Sequence, residues 1–216
     1  MKFYRLTETV EKKIIGKYPP FETGYFPVQA NHPKFIQNIY YEKVEENEVF
    51  VPVPKLRKGS KMVDFMPGYS GREIMSEKLK GLIIATGPIG MQFISQPIIV
   101  NSIEIDGYWL TNNYEFNFDV INFDLTEISI MKTTWDVDFQ VKVKNQTEFL
   151  SLVADTKLPQ SIKIFRPYFI ENYDKDFFAL RYVYNGFSFF CSERFRQKLE
   201  EEKITGIRFL DLDEVL

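Results

Sequence analysis

Chemistry needs reactive side chains within reach of one another, and the most suggestive run of the 216-residue chain is Cys191-Ser192-Glu193, which sets a thiol, a hydroxyl and a carboxylate in succession. A nucleophile of either kind needs a positioned base. The only histidine, His32, stands far along the chain beside Pro33. The residues therefore read as architecture: Cys191 as a small buried apolar side chain and Ser192 as a helix cap. Two further pairs of carboxylates, Asp136 with Asp138 and Glu104 with Asp106, share a strand face in the alternating pattern and suit cation binding or acid–base work. Lys142 and Lys144 continue the first of these faces, as expected for the wet side of an amphipathic strand. Gly87-Pro88-Ile89-Gly90 lacks the lysine and hydroxyl of a phosphate loop and follows a helix, so it reads as a helix stop. Asn145-Gln146-Thr147 fits a glycosylation acceptor, which has no consequence without a secretory leader. Arg194, Arg196 and Lys198, followed by Glu200, Glu201 and Glu202, read as a solvated helix face. The residue chemistry accordingly points to no catalytic residue, metal ligand or cofactor contact, and it singles out no residue for partner binding.

The elements that would position these residues follow from periodicity. Lys2–Thr7 reads as a strand, Phe35–Val44 as a short helix with Phe35, Ile36, Ile39 and Tyr40 near one face, and Val49–Val53 as a short strand. Met62–Met66 is a strand candidate. Ser76 starts a helix as its cap, with Glu77 at the positive end of the helix dipole. Extended chain resumes at Gly90–Ile94. Asp106-Gly107 between Ile103–Ile105 and Tyr108–Asn112 predicts a hairpin, as does Asn185-Gly186 between Phe177–Tyr184 and Phe187–Cys191. Tyr114–Val120 and Trp135–Val143 alternate in polarity, and the second predicts a strand with one face buried. Glu148–Ala154 reads as a helix and Ser161–Phe165 as a strand.

The predicted fold class is α+β, mostly antiparallel sheet with few short helices packed on it. The expected organisation is an irregular segment, residues 1–60, packed on a compact unit of residues 61–216. One grammar occurs twice: strand, Ser-Glu-capped helix, stop glycine, strand. Without a gap, Ser76 falls on Ser192, Glu77 on Glu193, Lys78 on Arg194, Leu79 on Phe195, Lys80 on Arg196, Gly90 on Gly206 and Phe93 on Phe209. Old duplication and convergence on a common capped-helix pattern both account for this.

A formal net charge of -3, from 27 basic and 30 acidic side chains, is not the balance of a nucleic-acid binder. One cysteine excludes an intramolecular disulfide and a multi-thiolate zinc site. The uncharged stretch 81–100 is interrupted by three glycines, two prolines and two glutamines, which argues against a membrane span. The N-terminal residues lack a signal-peptide apolar core, so the expected compartment is the cytoplasm.

The ending Cys191-Ser192-Glu193-Arg194-Phe195 … Leu199 … Ile204-Thr205-Gly206-Ile207-Arg208-Phe209 resembles a family of bacterial domains assigned as immunity proteins of polymorphic toxin systems, the type first named from a myxobacterial protein. Its members end in a Ser-Glu basic helix and a small-Thr-Gly-aliphatic-x-Phe pattern. Their earlier Ser-Glu helix, strand and tyrosine-bearing hairpin correspond to Ser76-Glu77-Lys78-Leu79, Met91–Ile94 and Tyr108-Trp109-Leu110, and a following aspartate and serine to Asp124 and Ser129. The resemblance runs from about Asp64 onward. It implies a non-enzymatic protein whose partner is a cognate toxin, with no nucleic acid, no membrane and no cofactor, and with oligomeric state unspecified. The acidic stretches Glu45-Glu46-Asn47-Glu48 and Glu115-Asn117-Asp119 would suit a basic toxin. The alternative from residue chemistry is a small-ligand domain or hydrolase with carboxylates such as Asp136, Asp138 and Glu104 converging from several strands.

Overall fold

The computed structural model describes residues 1–22, 32–69, 71–184 and 186–212. It contains thirteen strands, β1 Phe3–Glu8, β2 Phe65–Pro67, β3 Glu73–Ser76, β4 Met91–Ser95, β5 Ile98–Val100, β6 Ile103–Ile105, β7 Tyr108–Asn113, β8 Ile128–Met131, β9 Val137–Val141, β10 Ser161–Ile164, β11 Phe177–Val183, β12 Gly186–Ser192 and β13 Ile207–Asp211. Four helices accompany them: α1 Lys12–Ile15, α2 Glu77–Ile84, α3 Gln146–Asp155 and α4 Glu193–Glu201. The fold is α+β, as the patterns predict. The chain divides into two compact units, one of Met1–Leu6, Phe116–Arg196 and Phe209–Leu216, the other of Thr7–Glu115 and Gln197–Arg208.

The first unit is built on a seven-stranded sheet in the order β13-β1-β12-β11-β10-β8-β9. Its core is aromatic. Phe3, Phe169, Phe178 and Phe190 meet largely edge to face, with Phe3 5.4 Å from Phe169 and Phe169 5.1 Å from Phe190. This geometry suits the ring quadrupole. Helix α3 contributes Phe149, fully buried 5.0 Å from Phe118. Asn145 caps α3 by accepting from the Glu148 amide at 3.0 Å, and the Glu148 carboxylate takes the Lys144 amide at 2.9 Å. The Asn145-Gln146-Thr147 tripeptide is thus the start of a helix.

The second unit holds the four-stranded antiparallel sheet β2-β3-β7-β4 and the small pair β5-β6. Its core gathers Ile36, Met66, Ile74, Ile94, Ile98 and Leu110.

Three sequence expectations fail here. Asp106-Gly107 does not close a hairpin: β6 pairs backwards with β5, and β7 pairs with β3 and β4. The turn between β5 and β6 is Asn101-Ser102, whose φ values of 49° and 67° supply what a tight turn needs. Gly107 instead turns its carbonyl to the Glu77 amide at 2.8 Å. Residues 114–120 are not a strand but end in a 3-10 turn at Phe118–Val120, with Asn117 accepting from the Asp119 amide. Val49–Val53 forms no strand beyond a bridge of Phe50 with Phe35. The Phe177–Cys191 hairpin is present as β11 and β12, though Asn185 itself lies outside the described residues.

The repeated grammar is one spatial arrangement built twice. Phe65 and Met66 pair with Met75 and Ile74, as Phe177 and Phe178 pair with Cys191 and Phe190. On the other side, Ser76, Met75 and Ile74 oppose Tyr108, Trp109 and Leu110, as Ser192, Cys191 and Phe190 oppose Phe3, Tyr4 and Arg5. The Ser76 and Ser192 hydroxyls accept from the amides of Leu79 and Phe195 at 3.2 and 3.1 Å. Lys80 lies 3.0 Å over the Trp109 ring and its counterpart Arg196 4.5 Å over Tyr4. Gly90 and Gly206 take the amides of Tyr114 and Thr9, both at 2.8 Å. So β1 stands to β12 as β7 stands to β3.

Candidate partner-binding surface

The hydroxyls of the Ser-Glu motifs are occupied by structure. Asp64 accepts from the Ser76 hydroxyl at 2.7 Å, and from the Thr205 amide and hydroxyl at 2.8 and 2.7 Å. Ser192 donates to Asp176, which also receives the Arg194 guanidinium at 2.7 Å. Cys191 is fully buried. His32 spends its Nδ1 on the Lys34 amide at 3.1 Å, a local turn. Glu104 lies exposed on β6 in the second unit, whereas Asp136 and Asp138 belong to the first and are also exposed. Among the described residues no group of three His, Cys, Asp or Glu could hold a metal ion. Nothing among the described residues supports the converging carboxylates of the alternative reading.

One carboxyl is perturbed. Glu73 on β3 keeps some exposure as a residue, yet its Oε2 is shut off from water and has no hydrogen-bond partner among the described residues. Burial, with a smaller push from Glu8, holds its pKa well above the ordinary carboxylate value. A raised carboxyl pKa means the folded protein keeps a proton that the unfolded chain gives up. The associated stability is complete below about pH 4.5, the ordinary glutamate value, and is lost as pH rises toward the folded pKa. Glu73→Gln is expected to remove that loss. Its thermal midpoint should exceed that of the parent at pH 8 and match it at pH 4, read by calorimetry.

Residues 39–50 of the second unit make a different kind of feature. The sequence suggests a helix over Phe35–Val44, but there only Ile36–Asn38 forms a 3-10 turn, and a second 3-10 turn follows at Glu46–Glu48. Between the two turns the chain, with Tyr41 at a φ of 58°, is held in place by side chains from the sheet. Arg72 donates to the Ile39 carbonyl, and its Nε reaches Asn112 Oδ1 at 3.4 Å. Asn112 donates to the Glu42 carbonyl at 2.8 Å. Gln92 brackets Val44, donating to its carbonyl at 2.6 Å and accepting from its amide at 3.2 Å. Glu46 takes the Ser95 amide at 2.6 Å. Burial pulls the Arg72 pKa down, while Tyr40 and Tyr41 push it back.

This scaffold presents Glu42, Glu45, Glu46 and Glu48 to solvent, and among the described residues none of them makes an ion pair. Tyr40, 57% exposed, and Phe50 flank them, with the Tyr40 and Tyr41 rings 6.3 Å apart. An aromatic group beside unpaired carboxylates on a pinned backbone is the composition of a preorganised protein-binding patch. Of the two acidic stretches singled out in the sequence, this one forms a contiguous exposed segment. Glu115, Asn117 and Asp119 do not share a strand face, because the strand is absent. Arg72, Gln92 and Asn112 were not legible as positioning residues, since their partners lie 33 to 70 residues away and are backbone carbonyls that every sequence possesses.

No helix among the described residues is long and apolar enough to cross a membrane. Comparison with curated proteins gave no match. The model of an immunity protein family (Imm11) matches residues 3–214, nearly the whole chain, and the protein belongs to that family.

Proposed function

We propose that this protein acts as an antitoxin: it works in the cytoplasm, binds a cognate bacterial toxin and neutralises it by occlusion, without catalysis of its own. The observation that carries the reading is the immunity-family match from residue 3 to residue 214. The segment 40–50 supplies the contact. Its unpaired glutamates complement a basic surface, such as the substrate groove of an enzyme that acts on a polyanion. Tyr40 and Phe50 supply apolar area at low entropic cost, and the bonds from Arg72, Gln92 and Asn112 spare the backbone the cost of ordering on binding.

The test is co-expression with the product of the adjacent gene. Alone, that product should arrest growth, and with this chain growth should resume. Glu42→Lys, Glu45→Lys and Glu48→Lys combined leave the Glu46–Ser95 bond in place and reverse the patch. The triple variant should bind the toxin at least about 100-fold more weakly and lose protection, with its melting temperature unchanged. A harmless neighbour would remove the antitoxin reading, and full protection by the triple variant would move the contact elsewhere on the molecule.

A further inference from the structure

The clean alternation of residues 135–143 predicts a strand with a buried face, and the structure corrects this. Val137 and Phe139 on β9 are 46% and 52% exposed, on an edge strand whose pairing with β8 skips Asp138 in a bulge. The second unit holds the opposite departure, polar side chains buried without partners. Three such atoms, Glu73 Oε2, Asn113 Oδ1 and Asn113 Nδ2, have no hydrogen-bond partner among the described residues. The four-stranded sheet brings them together. The Glu73 amide donates to the Thr111 hydroxyl at 2.9 Å, so the two residues are neighbours across β3 and β7. Thr111 and Asn113 stand two apart on β7 and share a face, and both are buried. Glu8 is near enough to repel the Glu73 carboxylate. Tyr18 donates to Glu8 Oε1 at 3.2 Å and also feels the Glu73 charge. Tyr18 is exposed and Glu73 partly so, which leaves the cluster a way to solvent.

The equivalence of the two Ser-Glu units shows that the fold does not require polar groups at this place. Counted from the paired serines, Glu73 corresponds to Phe189. Counted from Tyr108 and Phe3, which oppose those serines, Thr111 corresponds to Leu6. Phe189 and Leu6 oppose each other in the first unit and are both buried. An apolar pair in one unit is thus replaced by an acid and a hydroxyl in the other. Buried polar atoms without partners are destabilising, and native structures keep few of them without a water, an ion or a functional role.

The chemistry of the set selects what would fill it. Two orphaned acceptors beside a second carboxylate call for positive charge, and the two glutamates balance a charge of two. Hard divalent cations take carboxylate and amide oxygens, and Mg²⁺ is commonly held by one or two carboxylates while keeping several waters. A metal-bound water also gives Asn113 Nδ2 an acceptor, which an ammonium or guanidinium group, having only donors, would not. These carboxylates are distinct from Asp136, Asp138 and Glu104, which stay exposed and apart.

We propose that Glu73, Glu8 and Asn113 hold one divalent cation, Mg²⁺ or Ca²⁺, which keeps part of its water shell. The inference is independent of the toxin. Terbium(III) is the probe, a hard cation that luminesces when a nearby aromatic ring passes it energy, and Tyr18 is the ring at the site. Titrated into the full chain, it should give saturable emission with one ion bound per chain, displaced by millimolar Mg²⁺ or Ca²⁺. Either of these ions should raise the melting temperature by about 3 °C or more over the protein in chelator. Glu73→Gln keeps the size of the side chain and the backbone bond to Thr111. It should weaken terbium binding at least about 100-fold and abolish the thermal shift. Glu8→Gln should weaken binding about tenfold or more, and both variants should keep the far-ultraviolet dichroism of the parent. The combined Glu42→Lys, Glu45→Lys and Glu48→Lys variant should bind terbium as the parent does. An absence of saturable emission and of any thermal shift would overturn the proposal and leave only water among these groups. Emission indifferent to Glu73→Gln, or removed by the triple variant, would also overturn it, by placing the ion on surface carboxylates.

Discussion

Asp64→Ala is expected to cost about 3 kcal/mol of unfolding free energy, more than any other single side-chain truncation at the two Ser-Glu motifs. The carboxylate collects three hydrogen bonds from two distant segments, at 2.7 Å from Ser76 and at 2.8 and 2.7 Å from Thr205. The Thr205 hydroxyl also accepts from the Asp64 amide at 3.2 Å, and the Thr205 carbonyl from the Phe65 amide at 3.1 Å. Hydrogen bonds to a charged acceptor contribute about 1.5–3 kcal/mol each when buried, and partial solvent access at Asp64 discounts the sum. The counterpart Asp176 provides the comparison. It holds Ser192 in the same way, but its other partner is the Arg194 guanidinium, an exposed side chain whose ion pair is screened by water. Asp176→Ala should therefore cost less than Asp64→Ala, although the two aspartates sit in equivalent places. Urea unfolding of both variants decides it. Equal losses would mean that the Thr205 bonds add nothing beyond the serine cap.

The same motif shows why part of this fold was legible in sequence and part was not. Ser76 and Ser192 act through the amides three residues on, those of Leu79 and Phe195, and local chemistry can be read locally. The pairing of Asp64 with Thr205 spans 141 residues, and nothing in either side chain announces the other. Strand inventory followed the same division. β1, β4, β10 and the hairpin β11–β12 lie where alternation and turn residues put them. β8, Ile128–Met131, is buried on both faces and only four residues long, too short a run to stand out. Residues 35–44 carry a helical apolar pattern, yet a helix there would need the Ile39 carbonyl and the Val44 amide, which Arg72 and Gln92 take. Long-range polar capture overrode local periodicity there, and it is what shapes the candidate partner surface. At β9 the pattern was read correctly as a strand, but alternation reports which face is apolar and not whether anything covers it.

Gly206→Ala should be among the most disruptive small substitutions at the described residues, because two penalties coincide. The backbone at Gly206 has a φ of +90°, and a Cβ there would fall 2.3 Å from the Phe65 carbonyl oxygen and 2.8 Å from Val63 Cγ2. The first penalty alone is about 1–2 kcal/mol for an L residue. The second cannot be relieved by rotating a side chain, since the nearest atom is backbone. That carbonyl belongs to the strand beginning beside Asp64, so moving it strains the Asp64–Thr205 bonds as well. Gly87 separates the two contributions. Its φ of +64° is also positive, but a Cβ there meets nothing within 4 Å, so Gly87→Ala reports conformational strain without a clash. Gly81, inside α2 with open space at its Cβ, should gain about 1 kcal/mol as alanine. The expected order of chemical stability is Gly81→Ala above the parent, Gly87→Ala about 1–2 kcal/mol below it, and Gly206→Ala at least about 4 kcal/mol below or unable to fold. Gly90→Ala belongs with Gly206→Ala, because its Cβ would lie 2.3 Å from the Glu115 carbonyl oxygen. If Gly206→Ala instead behaved like Gly87→Ala, the close approach of the stop glycine to the strand at Phe65 would be wrong, and the equivalence of the two Ser-Glu units would lose its tightest constraint.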